Sequence, residues 1–226
     1  MKLVILDCDG TLVDSQNGIC AAMSQAFGGM GLVAPSRAET LAIVGLSLPE
    51  AFAVLAPGHD RATHAKLAEC YCDAFRETRQ DPVLSEPLFA GVRDAIEAFG
   101  ARDDVVLGIA TGKSRRGVDR LFEREGWAPR FLTVQTADDH PSKPHPAMVL
   151  SAMAETGIGA DQTVMIGDTT FDMKMALAAG VGALGVAWGY HTPEELREAG
   201  AHAVIQTGEH LAGGVEGFFA GRERSA

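Results

Sequence analysis

The stretch Leu3-Val4-Ile5-Leu6-Asp7-Cys8-Asp9-Gly10-Thr11 decides the fold of this chain. Four apolar residues followed at once by the carboxylate of Asp7 predict a short strand that is buried on both faces and ends at that residue. Comparable apolar runs recur at residues 105–110, 131–134, 163–166, 183–187 and, more weakly, 203–205. The sequence therefore predicts a sheet of five strands and a weaker sixth.

Helical spacing follows the second and the fourth of these runs. Val118 and Leu121 lie on one face of a predicted helix, and Met173 and Ala176 lie on one face of another. Alternation of strand and helix is typical of the α/β class, here a three-layer core with a Rossmann-like parallel sheet between two layers of helices. The Gly-rich tail from about Gly213 is expected to form a short helix or a frayed end.

One long interval after the first strand breaks this alternation. Between residues 16 and 83 apolar side chains follow helical spacing, as at Ile19 and Met23, and no convincing strand is found. Turn-forming residues lie at both edges, at 14–18 and 81–87. We therefore predict a helical domain of residues 16–83, inserted into a core that is built from residues 1–15 and 84–226.

Composition and charge exclude several classes of protein. The chain has 226 residues, of which 46% are hydrophobic, so it can bury a globular core. Nineteen basic and thirty acidic residues give a net charge of -11, which would repel nucleic acid. The first apolar run is too short for a signal peptide or a membrane span, so we expect a cytoplasmic protein without a membrane partner. The four cysteines lack zinc-binding spacing and are expected to be reduced thiols.

Polar residues follow four of the predicted strands. In open parallel sheets ligands bind at the carboxyl ends of the strands, so these residues are the first candidates for a site. They are Asp7 and Asp9 after the first run, Thr111 to Ser114 after the second, Asp138 to Lys143 after the third, and Asp168 to Asp172 after the fourth.

The candidate carboxylates would repel one another at a shared sheet edge. Asp7, Asp9, Asp168 and Asp172 are clearly opposed only by the ammonium of Lys143. A hard divalent cation relieves such repulsion, and Mg²⁺ prefers oxygen ligands from one or two carboxylates together with substrate phosphate. The pattern therefore predicts a magnesium site that receives an anionic substrate.

These motifs resemble the signatures of the haloacid dehalogenase (HAD) superfamily, and most closely those of its phosphatases similar to phosphoglycolate phosphatase. Residues 7–11 fit Asp-x-Asp-Gly-Thr, Thr111 closes the second signature, Lys143 is the third, and residues 167–172 fit Gly-Asp-x-x-x-Asp. The inserted helices resemble the small helical cap of that family. Residues 187–190, Ala-Trp-Gly-Tyr, resemble the loop after its fifth core strand.

The resemblance implies a reaction in two steps at the first signature. Asp7 would be the nucleophile and would form an aspartyl-phosphate intermediate. Asp9 would be the general acid–base, first protonating the leaving alcohol and then deprotonating water. Because a departing halide needs no acid, the second aspartate favours a phosphate ester as the substrate.

The resemblance also implies how the metal would be held. The Asp7 carboxylate, the backbone carbonyl of Asp9 and the carboxylate of Asp168 would bind Mg²⁺, with Asp172 in a supporting position.

Five further residues have implied roles around the phosphoryl group. Thr111 and the amide of Gly112 would bind phosphoryl oxygens, while Lys143 would neutralise charge on the nucleophile and the transferring group. Gly10 suits a tight backbone turn, and Thr11 is expected to orient the general acid–base.

The chain departs from relatives of this kind at two places. Many relatives carry Thr-Asn in the second signature, where this chain has Thr111 and Gly112 followed by Lys113; that lysine would contact substrate, a cap carboxylate or a partner in a surface salt bridge. In the cap, sugar phosphomutases and phosphonoacetaldehyde hydrolases place a cation where this chain has Leu48. The adjacent Ser47 would offer a hydroxyl to substrate or cap a helix.

We therefore expect a Mg²⁺-dependent phosphatase for a small phosphorylated metabolite, with phosphoglycolate as the default substrate. A sugar phosphomutase and a pyrophosphatase are the alternatives, and a non-catalytic binding protein is disfavoured because every signature residue is present. The sequence does not distinguish a monomer from a homodimer.

Overall fold

A parallel sheet forms the centre of the computed structural model, which describes residues 1–78 and 85–224. Within these ranges the strands are β1 Lys2–Leu6, β2 Val105–Thr111, β3 Phe131–Thr136, β4 Thr163–Gly167, β5 Gly182–Val186 and β6 Ala203–Ile205. They pair in the order β3-β2-β1-β4-β5-β6, and every pairing is parallel. The predicted α/β class and its parallel sheet are confirmed.

The central strand β1 is apolar on both faces because helices cover both sides of the sheet. Leu3 and Ile5 belong to the apolar cluster on one face, whereas Val4 and Leu6 belong to the cluster on the other. All four side chains are fully buried. Alternating residues of a strand point to opposite faces, so this run without polar residues requires the three-layer arrangement.

The order of the strands reverses beside β1. The chain proceeds outward from β1 through β2 to β3, then returns to the opposite side of β1 with β4 and continues outward to β6. In doubly wound sheets a ligand crevice opens at the carboxyl ends of the two strands that flank such a reversal. Asp7 follows β1 and Asp168 follows β4, so both lie at this crevice.

Among the described residues up to Thr78, four helices follow the first strand and pack around an apolar cluster of their own. They are α1 Gln16–Gly29, α2 Arg37–Leu41, α3 Leu48–Leu55 and α4 Arg61–Thr78. Met23, Phe27, Phe52 and Leu67 form the buried centre of this cluster. We call these four helices and their connections the cap. The predicted boundary between residues 83 and 84, and most of the predicted turn at 81–87, lie outside the described residues.

The remaining helices cover the sheet. They are α5 Val92–Gly100, α6 Arg115–Glu125, α7 Ala147–Thr156, α8 Thr170–Ala178, α9 Pro193–Glu198 and α10 Leu211–Glu223. The last helix is longer than the short or frayed segment predicted from about Gly213, because Leu211, Val215 and Phe219 recur every four residues and are all buried. None of the helices described is long and apolar enough to cross a membrane.

Candidate active site

Asp7 lies at the end of β1 and is buried, with only 1% of its surface exposed. The backbone N–H of Cys8 donates to Asp7 Oδ1 at 2.7 Å, and Lys143 Nζ lies 2.9 Å from Asp7 Oδ2. Burial raises the pKa of Asp7 from its ordinary 3.8 to about 6, because removal from water outweighs the opposing effect of the Lys143 charge. The carboxylate is thus fixed in place and poorly solvated.

Asp168 follows β4 on the other side of the crevice and is fully buried. The Thr11 hydroxyl donates to its Oδ1 at 2.9 Å, and the backbone N–H of Tyr190 donates to its Oδ2 at 2.9 Å. Burial, together with the nearby charges of Asp172 and Asp7, raises the pKa of Asp168 well above its ordinary value. The expected role of Thr11 differs here, since its hydroxyl orients Asp168 rather than Asp9.

Asp172 and Lys143 form a buried ion pair behind the other two carboxylates. Asp172 is the third residue of α8, where its Oδ2 accepts from the backbone N–H and the hydroxyl of Thr169 in a capping box. Its Oδ1 accepts from Lys143 Nζ at 2.6 Å. Burial works against the charge on Lys143, yet Asp172 and Asp7 together keep the pKa of this ammonium above its ordinary value. Lys143 therefore stays protonated between two acids.

The three buried aspartates suit a divalent cation. One oxygen each of Asp7, Asp168 and Asp172 lies within 4.8 Å of the others. When all three are ionised, three negative charges face the single positive charge of Lys143, which leaves a net charge of -2. Asp7 Oδ2 is buried, and the ammonium of Lys143 is its ion-pair partner. An oxygen-rich cluster that keeps a net negative charge fits Mg²⁺.

Gly10 allows the chain to pass close to this cluster. Its φ of 83° is in the left-handed region, and a Cβ at this position would overlap the carboxylate of Asp168. Glycine is therefore required both for the backbone turn and for the close approach. The tight turn predicted for this residue is present.

Asp9 lies apart from the three buried aspartates, although only one residue separates it from Asp7. Lys113 Nζ donates to Asp9 Oδ1 at 2.7 Å and to Glu86 Oε1 at 2.8 Å. Burial alone would lower the pKa of Lys113, but the two carboxylates raise it above its ordinary value. The lysine is buried, so the surface salt bridge considered for it is not what forms. The participation of the Asp9 backbone carbonyl in metal binding stays a prediction.

A cavity of about 540 Å³ lies between the crevice and the cap. Its core side includes Asp7, Asp9, Thr111, Gly112 and Lys113, and its cap side is mainly apolar, with Met23, Leu46, Leu48, Ala68, Tyr71 and Phe75 among its residues. Ser47 also lines the cavity. It is the N-cap residue of α3, but its hydroxyl oxygen accepts no hydrogen bond from the helix backbone, and the hydroxyl donates to the carboxylate of Glu50 instead.

The cap contacts the core directly beside this cavity. The Ser47 backbone N–H donates to Ser142 Oγ at 2.8 Å. A Cβ at Gly112 would lie 2.8 Å from the carbonyl oxygen of Gly45, so the two backbones are in close contact. His191 Nε2 lies 3.4 Å from the Ala42 carbonyl oxygen. The cavity is therefore present in a conformation in which the cap contacts the core.

The loop after β5 supports the site in ways that the residue patterns did not predict. The Trp188 indole N–H donates to the Thr11 carbonyl at 3.1 Å, and the Ser15 backbone N–H donates to the Tyr190 hydroxyl at 3.2 Å. The role of Glu86 is also absent from the residue patterns, which indicate only a turn there. Trp188 and Tyr190 follow the end of β5, which was the available signal for them, whereas Glu86 follows none of the described strands, and the partners of all three residues depend on the fold.

Comparison with known proteins gives consistent matches over most of the chain. A family model described as "Haloacid dehalogenase-like hydrolase" matches residues 4–186. "Probable phosphatase IndB" of Dickeya dadantii is 37% identical over 217 residues, which cover 93% of this chain and 92% of that protein. A phosphoglycolate phosphatase of Rhodospirillum rubrum is 32% identical over 90% of this chain and 86% of its own length.

A solved structure has the same fold. The crystal structure of a predicted phosphatase from Clostridium acetobutylicum superposes with a TM-score of 0.85 and covers 96% of this chain and 98% of its own. At 23% identity this similarity concerns the fold alone.

Proposed function

The chain belongs to the family of haloacid dehalogenase-like hydrolases, and we propose that it is a phosphatase that hydrolyses a phosphate monoester through an aspartyl-phosphate on Asp7. One observation carries the proposal. Asp7 and Asp9 line the same cavity but have different partners, since Asp7 faces Lys143 within the buried acidic cluster and Asp9 pairs with Lys113 at the cavity wall. Two carboxylates in different surroundings can take different roles.

In the first step Asp7 attacks phosphorus. A bond forms between a carboxylate oxygen of Asp7 and phosphorus, while the bond from phosphorus to the leaving oxygen breaks. Asp9 gives a proton to that oxygen, so that an alcohol leaves rather than an alkoxide. Thr111 and the amide of Gly112, both at the cavity, donate to phosphoryl oxygens.

In the second step Asp9 acts as a base. It takes a proton from a water molecule whose oxygen attacks phosphorus, and the bond between phosphorus and Asp7 breaks. Inorganic phosphate leaves and both aspartates return to their starting states. Lys143, whose ammonium lies 2.9 Å from Asp7 Oδ2 in the structure, counters the negative charge that gathers on Asp7.

Magnesium dependence is part of the proposal. Asp7 and Asp168 would hold Mg²⁺ with the Asp9 backbone carbonyl, and Asp172 would support them through Lys143. The bound ion would neutralise charge on the phosphoryl oxygens. The clustering of three buried acids around one lysine supports this assignment.

The cavity also bears on the substrate. Its volume of about 540 Å³ is within the range of about 300–1,000 Å³ typical of sites for drug-sized ligands. Much of its cap wall is apolar, and Leu48 lies where a sugar-binding cation would be expected in related mutases. We therefore propose a small metabolite with an apolar portion as the preferred substrate, and phosphoglycolate as the reference compound against which it is tested.

The test is release of inorganic phosphate from a panel of compounds. The panel comprises 2-phosphoglycolate, 2-phenylethyl phosphate, sugar phosphates, nucleoside monophosphates and pyrophosphate, each with Mg²⁺ or with EDTA. We expect metal-dependent release that is lost in Asp7→Asn and kept in the surface control Asp161→Asn, whose carboxylate is 91% exposed. Release that survives in Asp7→Asn would refute the nucleophile assignment. Isomerisation of a sugar phosphate without phosphate release would favour a mutase.

A further inference from the structure

Lys113 is a buried cation that contacts two carboxylates and an aromatic ring. Its ammonium donates to Asp9 Oδ1 at 2.7 Å and to Glu86 Oε1 at 2.8 Å, and it lies 5.7 Å from the ring centre of Phe75 on the cap. Its side chain is 6% exposed. These contacts place the ammonium between two carboxylates and an aromatic face.

We propose that Lys113 is a positioning residue that fixes the orientation of the Asp9 carboxyl group toward the leaving group. The inference rests on the proposed function. A lysine ammonium has three donors and no acceptor, so it holds Asp9 by a hydrogen bond to Oδ1 at 2.7 Å. The other oxygen, Oδ2, is then the one that gives a proton to the leaving group and later takes one from water.

Glu86 and Phe75 hold the same ammonium from two further sides. The Glu86 carboxylate accepts a hydrogen bond from it at 2.8 Å, and the centre of the Phe75 ring lies 5.7 Å away on the cap. These contacts fix the position of the ammonium that binds Asp9 Oδ1.

The stem of Lys113 is held by the first turn of α6. A Cβ at Gly117 would lie 2.8 Å from Lys113 Cγ and 3.1 Å from its Cε. The side chain therefore passes directly over Gly117, and a methyl group there must displace it. Gly117→Ala would shift the ammonium without removing any charge, and alanine is otherwise favoured within a helix.

The experiment compares kcat/KM for ethyl phosphate with kcat/KM for p-nitrophenyl phosphate in wild type, Lys113→Met and Gly117→Ala. This parameter covers the steps up to the aspartyl-phosphate, and the nitrophenolate leaves in that step without needing a proton, so only the value for ethyl phosphate depends on Asp9 as an acid. We expect both variants to lower the ratio of ethyl to nitrophenyl kcat/KM by about ten-fold or more, because small misplacement of catalytic groups is costly.

Matched controls are Lys66→Met, whose side chain is 62% exposed, and Gly217→Ala, where an added Cβ meets nothing within 4 Å. Both should keep the wild-type ratio. Circular dichroism checks that each variant folds. If Lys113→Met does not fold, the substrate ratio measured for Gly117→Ala tests the inference.

Three outcomes would contradict the inference. Equal losses of kcat/KM on the two substrates, or an unchanged ratio in a folded variant, would overturn it while the proposed function stands. A folded wild type that releases no phosphate in the presence of Mg²⁺ from these two substrates or from any compound of the panel would refute the proposed function and this inference together.

Discussion

Replacement of Lys143 by methionine is the sharpest test of the electrostatics of the buried cluster. Methionine has a similar length but no charge, so the variant leaves Asp7 and Asp172 without the ammonium that lies 2.9 Å and 2.6 Å from them. The charge of the cluster with all three acids ionised changes from -2 to -3. Loss of one partner from a buried ion pair typically lowers the free energy of unfolding by about 3–5 kcal/mol.

The loss of unfolding free energy in Lys143→Met should depend on pH in the metal-free protein. The pKa of Asp7 is about 6 when folded and 3.8 ordinarily, so the folded state binds this proton more tightly and stability falls as pH rises from about 4 to 6. Without Lys143, which lowers that pKa, the folded value is higher still. The free energy of unfolding of the variant should then keep falling above pH 6. In the wild type, titration of Asp7 no longer changes the free energy of unfolding in that range.

The assay is urea unfolding in EDTA at pH 5.5 and pH 8, with Lys66→Met as the control. We expect a loss of about 3–5 kcal/mol at pH 8, a smaller loss at pH 5.5, and little change in the control. A loss below about 1 kcal/mol at pH 8, the range of exposed ion pairs, would refute this reasoning.

Three further predictions concern metal binding, backbone geometry and proton transfer. Mg²⁺ at about 100 times its dissociation constant should stabilise wild type by about 2.7 kcal/mol in thermal unfolding, whereas Asp168→Asn should gain much less; equal gains would exclude this metal site. Gly10→Ala should lower the free energy of unfolding by at least about 1–3 kcal/mol, because φ is 83° and its Cβ overlaps Asp168, while Gly58→Ala, with open space around it, should change stability little. Asp9→Asn should reduce kcat/KM for ethyl phosphate about 10²-fold or more and that for p-nitrophenyl phosphate less; equal reductions of kcat/KM would contradict its role as an acid.

Much of the core could be predicted from the sequence because the determining signals are local. The apolar run of β1 predicts burial on both faces, and the polar residues that follow β1, β2 and β4 predict a shared edge. The helix α10 was predicted less well. Its Gly-rich segment suggested fraying, but Leu211 and Phe219 are held by packing against the core, which outweighs low helix propensity.

The sequence by itself determined the class of fold, the inserted helices and the residues at the sheet edge, since the period of apolar side chains and the turn residues act within one element. Only the tertiary structure decided the partners of those residues. Thr11 bonds to Asp168 across 157 positions, and Lys113 bonds to Asp9 across 104. Such pairs depend on the order of the strands and on the path of the chain between cap and core, because a hydrogen bond requires placement within a few tenths of an ångström that periodicity does not encode.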